Sequence, residues 1–148
     1  MHLSDLIGSP KAERVFASLP VVIIGYSGGY LPAAACLQNG KLNDRVRGLT
    51  LLDGLYGEIG TFTGWLVNDR SIFFISSYTG STQANNMALK RVLEQRAMET
   101  NSDLTTRLTR GSIAFLATSD GNHRDFVTHA WVDDPVADVL RRATGFAR

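Results

Sequence analysis

Apolar residues along this chain fall in four short, dense runs separated by amphipathic or polar stretches. The first, Val21–Tyr26 (VVIIGY), is rich in β-branched residues and has no polar alternation, the pattern of a strand buried on both faces of a parallel sheet. Val46–Leu52 (VRGLTLL), residues 71–77 (SIFFISS) and residues 112–118 (SIAFLAT) read as three further strands. The stretches between them carry helical signals. Residues 31–39 form a small-residue helix stopped by Gly40. A loop and a short helix cover residues 57–65. Over residues 82–98, Met87, Leu89, Val92 and Leu93 recur among Lys, Arg, Glu and Gln, which marks an amphipathic surface helix. Another helix spans residues 135–143. Ahead of the first strand, Leu3, Leu6, Ile7, Val15 and Phe16 mark a helical lead-in, best defined over Pro10–Ser18 with Pro10 in its first turn. Residues 100–110, polar and rich in Thr and Arg, read as a loop. Strands alternating with helices predict an α/β fold: a parallel sheet of about four strands flanked by helices, joined by right-handed crossovers.

Bulk properties narrow this picture without redirecting it. A chain of 148 residues holds one domain, residues 1–148, with a real core. The net charge of +1 gives no reason to expect a nucleic acid or an anionic membrane as partner. No apolar run approaches the ~20 residues that span a bilayer. The N-terminus lacks the basic-then-apolar pattern of a signal peptide, so a cytoplasmic protein is expected. The lone Cys36 excludes an internal disulfide and a cysteine-rich metal site, and its Ala-rich setting predicts a small buried apolar residue. No spacing of His, Asp and Glu resembles a metal site, and no cofactor is expected.

The chemistry concentrates where the first strand ends. Gly25-Tyr26-Ser27-Gly28-Gly29 satisfies G-x-S-x-G, between a strand and a helix. That pattern serves a very sharp turn, with the serine hydroxyl projecting above the strand ends and glycines on either side letting backbone approach closely. The Gly28 N–H can then donate to a developing oxyanion. The competing reading is a phosphate-cradling or purely structural strand-to-helix turn.

An activated serine needs a base, and the base an orienting acid. His2 lies at the terminus. His123 and His129 follow the fourth strand in SDGNHRDFVTHAWVDDP. His123 sits in a short polar loop from which it can swing over the strand ends. His129 sits among Phe126, Val127, Ala130 and Trp131, which suits packing or the surface, so His123 is favoured as base. Asp53 ends the second strand in LTLLDGLYG and is the favoured acid, with Glu58 as nearby rival. The plain alternative for Asp53 is a turn-former bonding its own backbone, a frequent role before Gly. Asp44, Asp69 and Glu94 fall on the wrong side or too far away, and the third strand ends in ISSYTGST with no carboxylate. Asp133 and Asp134 before Pro135 read as a helix N-cap pair. Tyr30, Tyr56, Trp65 and Tyr78 are candidates for a pocket wall, or for packing.

The succession of strand, GYSGG, helix, a strand ending in LLDGLYGE, and a late NHRDFVTHAW resembles the C-terminal half of an α/β-hydrolase, as in bacterial hydrolase-like proteins with GYSGG and LLD-LYGE segments. The similarity runs from about Val15 to Leu140. It implies Ser27 as nucleophile, His123 as base and Asp53 as acid, the acid standing one strand earlier than is commonest in that fold. In the family, further strands precede the nucleophile strand, and a loop among them supplies the second oxyanion donor; this chain is expected to lack them. Such a donor is worth ~3–4 kcal/mol in the transition state.

Two functions from different classes follow. One is a serine hydrolase acting on small esters or lactones. The other is a non-catalytic hydrolase remnant serving assembly or binding. In either case the strand containing Val21, Val22, Ile23 and Ile24 becomes a sheet edge that needs a cover. A homodimer or larger homo-oligomer through that edge is expected, with the lead-in segment as the alternative cover.

Overall fold

Runs too apolar to be solvated on either face pair side by side into one parallel sheet, β1 (Val21–Tyr26), β2 (Val46–Leu52), β3 (Phe73–Tyr78) and β4 (Ile113–Ala117), in the order β1-β2-β3-β4. The computed structural model of the chain describes residues 8–39, 42–118 and 122–146. His2, the first part of the lead-in and the Gly40 stop lie outside the described residues.

Three crossover helices, α2 (Tyr30–Gln38), α3 (Ile59–Asn68) and α4 (Gly80–Gln95), pack on one face through Ala33, Leu37, Phe62, Leu66, Leu89 and Leu93. Connections of a single hand must do this when strands are added in one direction. The other face buries Phe73, Ile75, Ala114 and Leu116 under Leu108 and Val139, the latter from helix α5 (Pro135–Arg142). Asp138 of α5 ties this layer together: its Oδ2 accepts from Trp131 Nε1 at 3.0 Å and from Arg142 Nε at 2.9 Å. Burial pushes the Asp138 carboxyl up, and those two donors with the nearby arginine charges outweigh it, leaving the pKa below the ordinary value.

The predicted α/β architecture holds, with strand and helix ends moved by local chemistry. β3 begins at Phe73 because Ser71 turns back to Asp69, whose Oδ1 accepts from Ser71 N at 2.8 Å and Ser71 Oγ at 2.6 Å. α4 ends three residues early because Ala97 takes a left-handed φ of 55° and the Met98 N–H folds back to Leu93 O. The short helix expected over residues 57–65 runs on to Asn68. Asp134 caps α5, accepting from Ala137 N at 3.1 Å.

Cys36 is a correction. It is exposed, because α2 turns Ala33, Ala34 and Leu37 toward the sheet and leaves Cys36 on the outer side. The lead-in helix α1 (Pro10–Ser18) forms as expected but has no buried residue. It is tethered through its end, Arg45 donating to Phe16 O at 2.6 Å and Leu19 O at 3.0 Å.

Candidate active site

All four strands point their carboxyl ends the same way, so the loops after them share one edge of the sheet, where open α/β folds place their ligands. Ser27 leaves β1 there, Asp53 leaves β2, Thr79 leaves β3, and His123 comes from the segment after β4.

Ser27 opens a single 3-10 turn (Ser27–Gly29) that runs directly into α2, and its φ of 51° is in the left-handed region that non-glycine residues avoid. Two glycines make this turn possible. A Cβ on Gly25 would stand 3.0 Å from Gly29 O, and one on Gly54 would stand 3.0 Å from Ser27 O. Gly54 reads in the sequence only as half of the Asp53-Gly54 turn signal, and Gly29 proves not to be a contact glycine: a Cβ there meets nothing within 4 Å.

Asp53 also has a left-handed φ, 40°, and continues the ladder by donating its N–H to Ser77 O at 2.8 Å. The turn aims its fully buried carboxylate inward rather than at its own backbone. His123 Nδ1 lies 2.7 Å from Asp53 Oδ2, and His123 Nε2 lies 2.8 Å from Ser27 Oγ. An ionised carboxylate only accepts, so Nδ1 carries the proton and Nε2 presents its lone pair to the serine hydroxyl. Burial, the largest influence on Asp53, pushes its carboxyl up. Hydrogen bonds from Thr82, His123 and Thr79 outweigh that, and the pKa ends below the ordinary 3.8. Asp53 therefore contributes stability that is present above 3.8 and is lost as pH falls through its depressed folded value.

His123 begins a short 3-10 helix (His123–Val127) held by a reciprocal capping box between Asn122 and Asp125 and anchored by the fully buried Phe126. Its imidazole stacks on Tyr26, ring centroids 4.9 Å apart and planes 26° apart, and meets the edge of Tyr56 at 6.4 Å. Tyr30 lies 6.1 Å from Tyr56.

Of the sequence candidates, Ser27, Asp53, His123, Gly28, Tyr30 and Tyr56 gather here. His129 does not: it is exposed and bonds Thr128 Oγ1 at 2.9 Å and Asp125 at 3.5 Å. Glu58 is exposed and accepts from Thr61 Oγ1 at 2.7 Å. Tyr78 is buried in the core, and Trp65 lines a separate cavity of about 460 Å³ with Leu37, Gln38 and Gly64. Tyr26, Thr79 and Thr82 were missed. The signal available for the threonines is TGST, three aliphatic hydroxyls around a helix start in a segment with no carboxylate.

Among the described residues no group of three or more His, Cys, Asp or Glu is placed to hold a metal, and no helix is long and apolar enough to cross a membrane. No family model matches the chain, and no curated protein or solved structure is significantly similar to it. A hydroxyl, an imidazole and a carboxylate bonded in series can move a proton off the hydroxyl as it attacks an electrophile.

Proposed function

We propose that this protein is a serine hydrolase of the α/β-hydrolase type acting on small esters or lactones. Ser27 is the nucleophile, His123 the general base and Asp53 the orienting acid. The observation that carries this reading is the unbroken Ser27–His123–Asp53 hydrogen-bond chain, 2.8 and 2.7 Å long. Ser27 and Asp53 both occupy left-handed backbone conformations that cost on the order of 1–3 kcal/mol each, as do Glu58, Ala97 and Asp134 at turns elsewhere.

As Ser27 Oγ attacks the carbonyl carbon, His123 Nε2 takes the hydroxyl proton and Asp53 steadies the imidazolium. The carbonyl oxygen becomes an oxyanion, to which the Gly28 N–H donates. Collapse expels the alcohol, which leaves with the proton from Nε2, and an acyl-Ser27 ester remains. Water attacks that ester through the same base and releases the acid. In a lactone the alcohol and the acid are two ends of one product.

Hydrolysis of p-nitrophenyl acetate by His123→Ala and His129→Ala tests the assignment. The first should lose activity by at least about a hundredfold, the usual worth of a positioned base. The second should keep it. Equal losses, or no loss from His123→Ala, would sink the reading.

The same reading includes a homodimer built on β1. This strand is the sheet edge, its Val21, Val22, Ile23 and Ile24 are only half-buried, and it carries neither the charge nor the proline that guards natural edges. Among the described residues of the lead-in, helix α1 buries no residue and Val15 and Leu19 are 47% and 42% exposed, so this helix packs no apolar side chain over the edge. A second copy paired antiparallel across a two-fold axis joins two four-stranded halves into one sheet. Light scattering at micromolar concentration should give a dimer, and Ile23→Pro should abolish it or precipitate the protein. A well-behaved wild-type monomer would overturn this part.

A further inference from the structure

Asp53 poses a problem that the hydrogen-bond chain alone does not solve. Its carboxylate is fully buried, and among the described residues no Arg or Lys pairs with it; His123 is the titratable side chain in contact. A buried carboxylate without such help takes up a proton, and a neutral acid orients an imidazole poorly. The first turn of α4 supplies the help. Thr82 Oγ1 donates to Asp53 Oδ1 at 2.5 Å, and Thr79 N donates to the same oxygen at 3.1 Å. Thr79 Oγ1 lies 3.1 Å from Oδ1 and 3.0 Å from Oδ2, so its one proton is shared between the two oxygens, and it lies 2.9 Å from Ser81 Oγ, where either hydroxyl can donate. Thr82, itself fully buried, has no such competitor. The start of a 16-residue helix adds its positive end to the same oxygen.

We propose that Thr82 is the positioning residue of this site, saturating Asp53 Oδ1 so that the carboxylate stays ionised and Oδ2 is left for His123 Nδ1. Thr79 supports it in a lesser role. The segment after β3, which carries no acid at the strand end, holds instead two hydroxyls, Thr79 at the N-cap and Thr82 in the first turn of α4, that contact the acid arriving from β2.

The activity arm of the test rests on the hydrolase reading; the titration arm does not. Thr82→Val keeps the shape and removes the hydroxyl. Its kcat should fall about tenfold to a hundredfold with KM little changed, the worth of one hydrogen bond to a charged group, and Thr82→Ser should restore it. Independently of substrate, the Asp53 carboxyl followed by carbon NMR should titrate at higher pH in Thr82→Val than in wild type. The downfield His123 Nδ1 proton resonance should weaken in the same variant, and Thr82→Ser should match wild type in both. If Thr82→Val does not fold, Thr82→Cys, a weaker donor of similar size, takes its place. An unchanged Asp53 titration and an unchanged Nδ1 resonance would overturn the proposal. A wild type that hydrolyses nothing, yet shows the Thr82-dependent titration, would uphold the positioning role and overturn the hydrolase.

Discussion

Ser27→Ala should abolish labelling by a fluorophosphonate probe and lower ester hydrolysis by at least about a thousandfold, because removing the nucleophile of a cooperative serine site discards nearly all its chemistry. In the labelling reaction Ser27 Oγ forms a bond to phosphorus, fluoride leaves, and His123 Nε2 holds the serine proton. The probe needs no cognate substrate, so it reports on the hydroxyl and its base alone. The substitution itself is mild, because alanine removes one oxygen, although a left-handed φ of 51° remains strained for it. Circular dichroism and the thermal midpoint should therefore stay close to wild type. Labelling that persists in Ser27→Ala would mean that another residue is the reactive one, and no labelling of wild type would remove the basis for a nucleophile.

The second large effect is structural. Gly48 lies on β2 beside Val22 and Phe73 in register, and a Cβ there would stand 2.2 Å from the Phe73 ring. That ring is fully buried and packs on Phe146 with centroids 5.4 Å apart, so it cannot swing into solvent. Gly48→Ala should destabilise the fold by about 3 kcal/mol or more, at or beyond the upper end of ordinary overpacking. Against a total of roughly 5–15 kcal/mol this is a visible shift of the urea midpoint. Phe73→Leu in the same chain should recover part of the loss, a coupling that a double-mutant cycle reads directly. Gly64→Ala provides the opposite sign. It lies inside α3 with nothing within 4 Å of the added Cβ, and should stabilise by up to about 1 kcal/mol. A Gly48→Ala protein as stable as wild type would mean that the β2–β3 contact is looser than these distances require.

Much of this was legible one residue at a time. VVIIGY and VRGLTLL announce strands, and both form with the expected ends; VRGLTLL is buried almost throughout as expected of a parallel sheet, whereas VVIIGY, expected to be buried on both faces, lies at the sheet edge and is mostly half-buried. Gly25-Tyr26-Ser27-Gly28-Gly29 between strand and helix places a serine at a sharp turn, a local matter of steric freedom. That His123 rather than His129 reaches over the strand ends to Ser27 also followed from local composition, a polar loop against a segment of apolar neighbours.

What local pattern could not supply lies across the sheet. Ser27, Asp53 and His123 are separated by long stretches of chain, and they meet because parallel strands bring every carboxyl end to one edge. Gly54 matters only because Ser27 backbone passes over it, and Gly48 only because Phe73 arrives from the neighbouring strand. The hydroxyls of Thr79 and Thr82 look like ordinary helix-start residues until Asp53, from another strand, turns its carboxylate onto them. Cys36 turned outward for a similar reason: which side of a small-residue helix faces the sheet is settled by the partner surface when its own apolar stripe is weak. Residue type and spacing therefore determined the elements and the reactive groups, which depend on neighbours in sequence. The contact of Asp53 with His123, the Thr79 and Thr82 donors to Asp53 and the required glycines depend on atoms brought together from distant positions, and these were decided by tertiary structure.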